Sequence, residues 1–156
     1  MTKSFTDLDN VFGSAIHCGI KQEGLDLAYI HVPTAVASAG VFTQHKFKAS
    51  SVSYTKKCLK NHTLKAMIIN SGNANAVTGK EGEANTRAMA KKVAGYLNLA
   101  PKEVGVASTG IIGVQLPMAK IDAGLTSLFQ KKEQTNGTLV AEGILTTDLV
   151  PKQVWV

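Results

Sequence analysis

Residues 104–113 read VGVASTGIIG. Val104, Val106 and Ala107 form an apolar, strand-like run that breaks at Ser108–Thr109–Gly110 and resumes at Ile111 and Ile112. What flanks this run decides the fold class. Upstream, Glu83–Leu97 is rich in alanine and lysine, and Ala84, Ala88, Val93 and Leu97 lie close to one helical face. Downstream, Pro117 suits the first turn of a second helix. That helix continues through Met118, Ile121, Leu125, Leu128 and Phe129 at three- and four-residue spacings, with Lys131 and Lys132 complementing the dipole at its end. A strand between two helices, preceded by β segments, suggests an α+β layered fold.

The β segments before it are Leu27–Val32 (LAYIHV), Val36–Thr43 (VASAGVFT) and Lys65–Asn70 (KAMIIN). Pro33–Thr34 bends the chain between the first two, and Gly13, Gly19 and Gly24 mark short strands joined by tight turns before them. Towards the C-terminal side, Asn136–Gly137 is a turn signal and Leu139–Leu145 is compatible with helix or strand. Gln153–Val156 (QVWV) reads as a strand.

The 156 residues suit one domain or part of a larger protein; 44% are apolar and 18% charged, which supports a folded core. The net charge of +6 raises the question of nucleic acid. However, Arg87 is the only arginine among 17 basic residues, the lysines are scattered along the sequence, and aromatics for base stacking are few. The charge therefore reads as a source of solubility or of attraction for small anions, and no nucleic-acid partner is expected. Cys18 and Cys58 match no metal-ligand spacing, so no metal is expected, and they read as thiols in a reducing compartment. The polar N-terminus lacks a signal-peptide pattern and no run is long enough to span a bilayer, so the expectation is a cytoplasmic protein without a membrane partner.

Three polar motifs interrupt the apolar pattern. Asn70–Asn75 (NSGNAN) follows an apolar strand and is either a polar turn or a rigid loop bracing a pocket through Asn70, Ser71, Gly72, Asn73 and Asn75. It lacks the glycine spacing and the lysine–hydroxyl end of a phosphate-binding loop. Ser108–Thr109–Gly110 is either a plain strand-to-loop transition or a pair of donors, the Thr109 hydroxyl and a free backbone N–H, converging on an oxyanion. No nucleophile-elbow pattern surrounds Ser108, and none of the four histidines has a catalytic partner nearby in sequence. Thr146, Thr147 and Asp148 in Leu145–Pro151 (LTTDLVP) either cap the chain or offer hydroxyl donors to a substrate.

Taken together, these stretches resemble the N-terminal part of the ornithine acetyltransferase family, the bifunctional glutamate N-acetyltransferases of arginine biosynthesis. The matching segments occur in the family's order: Ile16–Gly24 (IHCGIKQEG), Ala39–Ser51 (AGVFTQHKFKASS), Ile69–Ala76 (INSGNANA), Val106–Pro117 (VASTGIIGVQLP) and Ile144–Asp148 (ILTTD). The resemblance implies a precursor that cleaves itself at an Ala-Thr bond into α and β chains, with the α+β architecture of layered sheets flanked by helices of the self-cleaving, N-terminal-nucleophile-like enzymes. The new N-terminal threonine of the β chain takes acetyl from N-acetylornithine and passes it to glutamate, with no metal or organic cofactor. Use of acetyl-CoA as a further donor is left open. An α-amine with an ordinary pKa of about 7.7–8.0 is suited to act as that threonine's base.

By the same resemblance, the oxyanion hole is made of the Thr109 side chain and the Gly110 N–H, and Thr146 contacts substrate. The family's α chain continues past this region to a Lys-Gly-x-Gly-Met stretch and the cleavage-site alanine, and this sequence stops at Val156. The expectation is therefore a single domain, residues 1–156, forming most of an α chain that ends before the cleavage site. It would need a β chain in an α/β hetero-oligomer and be inactive alone. The alternatives are an N-terminal-serine aminopeptidase of similar architecture and a non-catalytic binding domain.

Overall fold

The structure is a computed structural model that describes residues 4–61, 63–130 and 135–154. Four strands form one sheet in the order β1 (Phe12–Ile16), β2 (Leu27–His31), β3 (Ala66–Asn73) and β4 (Val104–Ile111). β1–β2 and β2–β3 are antiparallel, whereas β3 and β4 run parallel. A parallel pair needs a crossover, and helix α2 (Gly79–Leu97) supplies it. Helix α1 (Ser50–Asn61) precedes β3, and α3 (Met118–Gln130) and α4 (Gly137–Gly143) follow β4.

Side-chain alternation along each strand sends residues to two faces. Leu27, Tyr29, Ala66, Ile68, Val104 and Val106 pack against Met89, Ala90 and Val93 of α2 and Ile121, Leu125 and Leu128 of α3, all buried. On the opposite face Ala15 and Ala28 meet Val140 of α4, with Phe5 and Leu139 packed around them. The expected α+β class, a sheet flanked by helices, holds. Among the described residues no helix is long and apolar enough to cross a membrane.

Helix α1 is an element that apolar periodicity does not reveal. Its buried positions are Ser51, Thr55 and Cys58, a helical stripe of small polar and thiol side chains. The reason lies at the sheet edge. β4 has a neighbour on one side only, and the Thr55 hydroxyl donates to Val106 O (2.8 Å) and accepts from Val106 N–H (2.9 Å). One side chain thus satisfies two buried peptide groups that an edge strand leaves open.

Other expectations shift in physical ways. Val36–Thr43 forms no strand: Val36 and Val41 are exposed, and β2 is already paired on both edges, by β1 and β3. β-branched composition whose side chains bury against no sheet face does not make a strand. Asn136 is a helix N-cap rather than a simple turn residue, its side chain accepting from Thr138 N–H and Leu139 N–H, and Leu139–Leu145 resolves into α4 and its exit. Pro117 sits just before α3, its carbonyl accepting from Lys120 and Ile121. Residues 153 and 154 form no strand; 155 and 156, like Lys131 and Lys132, lie outside the described residues.

Candidate active site

The two polar motifs that read as strand-end turns are continuations of the strands themselves. β3 runs on through Asn70–Asn73 and β4 through Ser108–Ile111, and the ladder pairs Asn70 with Ser108, Ser71 with Thr109, Gly72 with Gly110 and Asn73 with Ile111. The motifs are therefore one structure, the polar C-terminal end of a parallel strand pair. Open α/β sheets place ligands outside the carboxyl ends of their strands.

Two glycines make this pairing possible. Gly72 and Gly110 have φ of +103° and +134°, values that side chains rarely adopt. A Cβ on Gly110 would lie 2.3 Å from the carbonyl carbon of Gly72 and 2.5 Å from Asn73 N. Backbone atoms cannot give way as a side-chain tip can, so position 110 admits only glycine. Both Thr109 and Gly110 are exposed to solvent. In a parallel ladder alternate residues turn their peptide groups towards the partner strand. Ile111 O accepts from Ala74 N–H across the pair, while the Val106 groups face outward to Thr55. Gly110 departs from that regular alternation, since its φ is positive and the direction of its Cβ runs into β3, and it lies next to the exposed Thr109.

The asparagines brace this strand end. Asn70 Nδ2 donates to Asn73 O (2.8 Å), and Asn73 Nδ2 donates to Gln115 O (3.1 Å). Asn75 is fully buried at positive φ and donates to Gly82 O and Thr86 Oγ1, while accepting from Thr78 Oγ1 and, at its backbone carbonyl, from Ser50 N–H. It ties the loop to both α1 and α2. Gly113 N–H donates to Ala76 O, so the chains leaving both strands stay paired. Between these bonds Val77, exposed and β-branched, is held at φ +58°, a strained conformation maintained by its surroundings.

Thr146 and Thr147 arrive from α4. Ser71, buried and paired with Thr109, donates from its hydroxyl to Gly143 O (2.7 Å), and Lys21 Nζ donates to Leu145 O (3.1 Å). These two bonds hold the exit of α4 against β3 and the loop 18–21; Thr146 and Thr147 come next in the chain and are exposed.

Lys21 and Asp26 carry a part of the site that motif reading leaves out. Asp26 is fully buried, and its carboxylate accepts backbone N–H bonds from Cys18, Gly19, Ile20 and Lys21 at 2.7–3.1 Å. Burial alone would raise its pKa, but the backbone donors of Cys18, Lys21 and Ile20 outweigh it and the carboxyl titrates below its ordinary 3.8. The loop 18–21 is thus wrapped around one charge, which aims Lys21 along Gly72 towards Leu145. Its neighbour Cys18 is affected in the opposite sense: burial and the Asp26 carboxylate push its thiol up to about 12. His17 Nδ1 donates to Gly24 O (2.7 Å) and lies 3.3 Å from Asp26, which makes it part of this loop. Among the described residues no group of three or more His, Cys, Asp and Glu is placed to hold a metal ion.

Known proteins share this fold. The profile of the ArgJ family matches residues 13–156. The chain belongs to the ArgJ family. Within it, the chain is 38% identical over 150 residues to the arginine biosynthesis bifunctional protein ArgJ of Oceanobacillus iheyensis, covering 96% of this chain and 36% of that protein. It is 42% identical over 151 residues to the protein of the same description from Streptomyces avermitilis, covering 96% and 39%. Two solved structures superpose closely. Ornithine acetyltransferase from Mycobacterium tuberculosis, complexed with ornithine, gives a TM-score of 0.89 at 38% identity, over 95% of this chain and 81% of that one. ArgJ from Bacillus halodurans gives 0.85 at 33% identity, over 95% and 78%. The chain spans little more than a third of the length of these curated family relatives.

Proposed function

We propose that this chain is the α-chain part of an arginine-pathway acetyltransferase, moving acetyl from N-acetylornithine to glutamate through an acetyl-threonine on a β chain. The observation that carries the reading is the pairing of Gly72 with Gly110 at the open end of β3 and β4, in a chain of the ArgJ family. It puts the Gly110 backbone beside the exposed Thr109 at the end of a strand, where in this reading the Gly110 N–H and the Thr109 hydroxyl are the two donors.

The chemistry asks for such a pair. The β-chain threonine oxygen attacks the acetyl carbonyl carbon while its proton passes to its own α-amine. The carbonyl oxygen becomes an oxyanion, which the Thr109 hydroxyl and the Gly110 N–H stabilise. The bond from acetyl carbon to the ornithine nitrogen then breaks, and that nitrogen takes the proton. Glutamate's amine repeats the sequence on the acetyl ester, and the threonine recovers its proton. Thr146 binds substrate, and Asn70, Ser71, Gly72, Asn73, Asn75 and Thr147 support the pocket around it. Ile111, Ile112 and Val114 are more than half exposed beside the site, which suits a second chain closing over it. An α/β hetero-oligomer acting without metal or organic cofactor, in the cytoplasm, completes the reading.

Thr109→Ala in the complete enzyme is the test. Thr109 is exposed, so the change leaves folding alone, and loss of one oxyanion donor lowers kcat by about 10²–10³-fold. Thr109→Ser retains most of the activity. Wild-type turnover in Thr109→Ala defeats the assignment. Hydrolysis of N-terminal residues from peptides, without acetyl transfer, would instead favour an aminopeptidase.

A further inference from the structure

Four lysines that look scattered in sequence gather in space. A groove of about 710 Å³ opens between α1, α2 and the 3-10 turn Pro101–Glu103. Five cations line it: Lys48 and Lys57 from α1 and its approach, Arg87 and Lys91 one turn apart on α2, and Lys102 from the 3-10 turn. Arg87 is the chain's only arginine. One carboxylate, Glu83, faces them, 3.6 Å from Arg87 in a solvent-exposed pair, which leaves four positive charges uncompensated in the groove.

Such a gathering does not serve the fold. Like charges around one cavity repel, and Arg87 and Lys91 are a like-charge pair on a single helix face. An anion would relieve that repulsion. The groove's size falls in the range of small-molecule sites, about 300–1,000 Å³. Its walls are not uniformly polar. The Tyr54 hydroxyl donates to Pro101 O (2.7 Å), which fixes the phenol ring and the proline as a rigid wall, with hydroxyls of Ser50 and Ser53 also lining the groove. An arginine offers bidentate donors to phosphate oxygens, lysines add point charges, and an aromatic wall accepts a planar ring.

We propose that this groove binds a nucleoside polyphosphate, its phosphates among Arg87, Lys91, Lys57 and Lys102 and its base against Tyr54 and Pro101. The site is separate from the strand end that carries Thr109 and Gly110, and the inference stands whether or not the acetyl-transfer reading does.

The test is calorimetric titration of the full chain, in the assembly in which it is purified, with adenosine triphosphate. Binding is read directly, without turnover. Saturable binding is expected, weakening in the order triphosphate, diphosphate, monophosphate and falling as salt is raised. The double variant Arg87→Gln/Lys91→Gln should lose at least about tenfold in affinity. Lys60→Gln, on α1 but outside the groove, should lose less than about twofold, being a screened surface charge. Absence of saturable binding overturns the proposal, as does an equal loss in Lys60→Gln. Tripolyphosphate binding as tightly as the nucleotide removes the base-recognition half. A single-stranded oligonucleotide competing equally per phosphate would make the groove a nucleic-acid surface and overturn it.

Discussion

Asp26→Asn replaces a buried charge by a near-isosteric neutral group and should destabilise the protein by about 2–4 kcal/mol at pH 7. The figure follows from the bonds. Asp26 Oδ1 accepts from Cys18 N–H, and Oδ2 accepts from Gly19, Ile20 and Lys21 N–H. In the best orientation of asparagine its oxygen takes the Oδ2 position, and three bonds survive without their charge assistance. A hydrogen bond to a charged group contributes about 1.5–3 kcal/mol and a neutral one about 0.5–1.5, so each loses about 1. The amide NH₂ then faces the Cys18 N–H, donor against donor, at about 1–3 kcal/mol more. The sum is discounted because residues 18–21 are partly open to water, which can take over some of the donors. The result is about a 30- to 900-fold fall in the folding equilibrium constant. The pH dependence supplies a second arm. A carboxyl whose folded pKa lies below its unfolded value contributes stability that is complete above the unfolded value, 3.8 here, and is lost as pH falls through the folded one. The gap between wild type and Asp26→Asn should therefore be full at about pH 6–7 and shrink below about pH 4. Urea denaturation of the full chain across that range measures both. A gap below about 0.5 kcal/mol at about pH 7, or one that persists unchanged at about pH 3, refutes the reasoning.

Gly110→Ala and Gly113→Ala both place a side chain at positive φ, but a Cβ on Gly113 meets nothing within 4 Å whereas one on Gly110 meets backbone. Thermal denaturation should show a loss of about 1–2 kcal/mol for Gly113→Ala and well above that, or no folded protein, for Gly110→Ala; equal losses would mean the strand ends are not in close contact. Thr55→Val keeps the shape and removes the oxygen shared by Val106 N–H and Val106 O, and should lose about 2–4 kcal/mol by denaturant titration, with Thr55→Ser within about 1 of wild type. Equal stability of the valine and serine variants would show that water seals the edge instead. Cys18, pushed up to about 12, is about one part in 10⁴ thiolate at pH 8, so iodoacetamide should label it at least about a hundredfold more slowly in the native protein than in denaturant. Mass spectrometry of the Cys18 peptide decides this, and equal rates would mean that the thiol is not buried against Asp26.

Where large apolar side chains do the packing, the elements are legible in the sequence. Leu27–His31 and α3 bury leucine, isoleucine and tyrosine at strand or helix periods, and those periods place both elements close to where the fold has them. Helix α2 is a helix as expected, but of its expected face Ala84 and Ala88 are exposed, and Thr86, Met89, Ala90 and Val93 are buried instead. Where the stabilising contacts are polar, the pattern carries no such mark. Helix α1 buries Ser51, Thr55 and Cys58, and its Thr55 satisfies an edge that exists only once β4 is laid beside β3. Val36–Thr43 misleads in the opposite way, with strand composition but valines left exposed, packed against no face of the sheet.

The candidate site divides along a related line. Its polar motifs can be picked out one at a time because hydroxyls, amides and glycines interrupt apolar runs. Their relation cannot, because register belongs to a pair of strands. Asn70 and Ser108 are far apart in sequence and a ladder pairing joins them in the sheet, and that single pairing sets every other neighbour, Gly72 against Gly110 included. The same holds for Asp26, which in sequence is one acid beside a leucine. Its meaning depends on four backbone N–H groups that only the closed loop presents to it. A backbone amide has no letter in the sequence, and this candidate site is built largely from backbone groups: the donors around Asp26, the carbonyls of Gly143 and Leu145 that precede Thr146, and, in the proposed function, the N–H of Gly110. Side-chain substitution therefore reaches the site mostly at second hand, through the residues that position the backbone. That is why a change at Asp26, at the start of β2 and two strands away from the Thr109 strand, is expected to disturb the site through Lys21 and Leu145 while leaving the proposed donors themselves untouched.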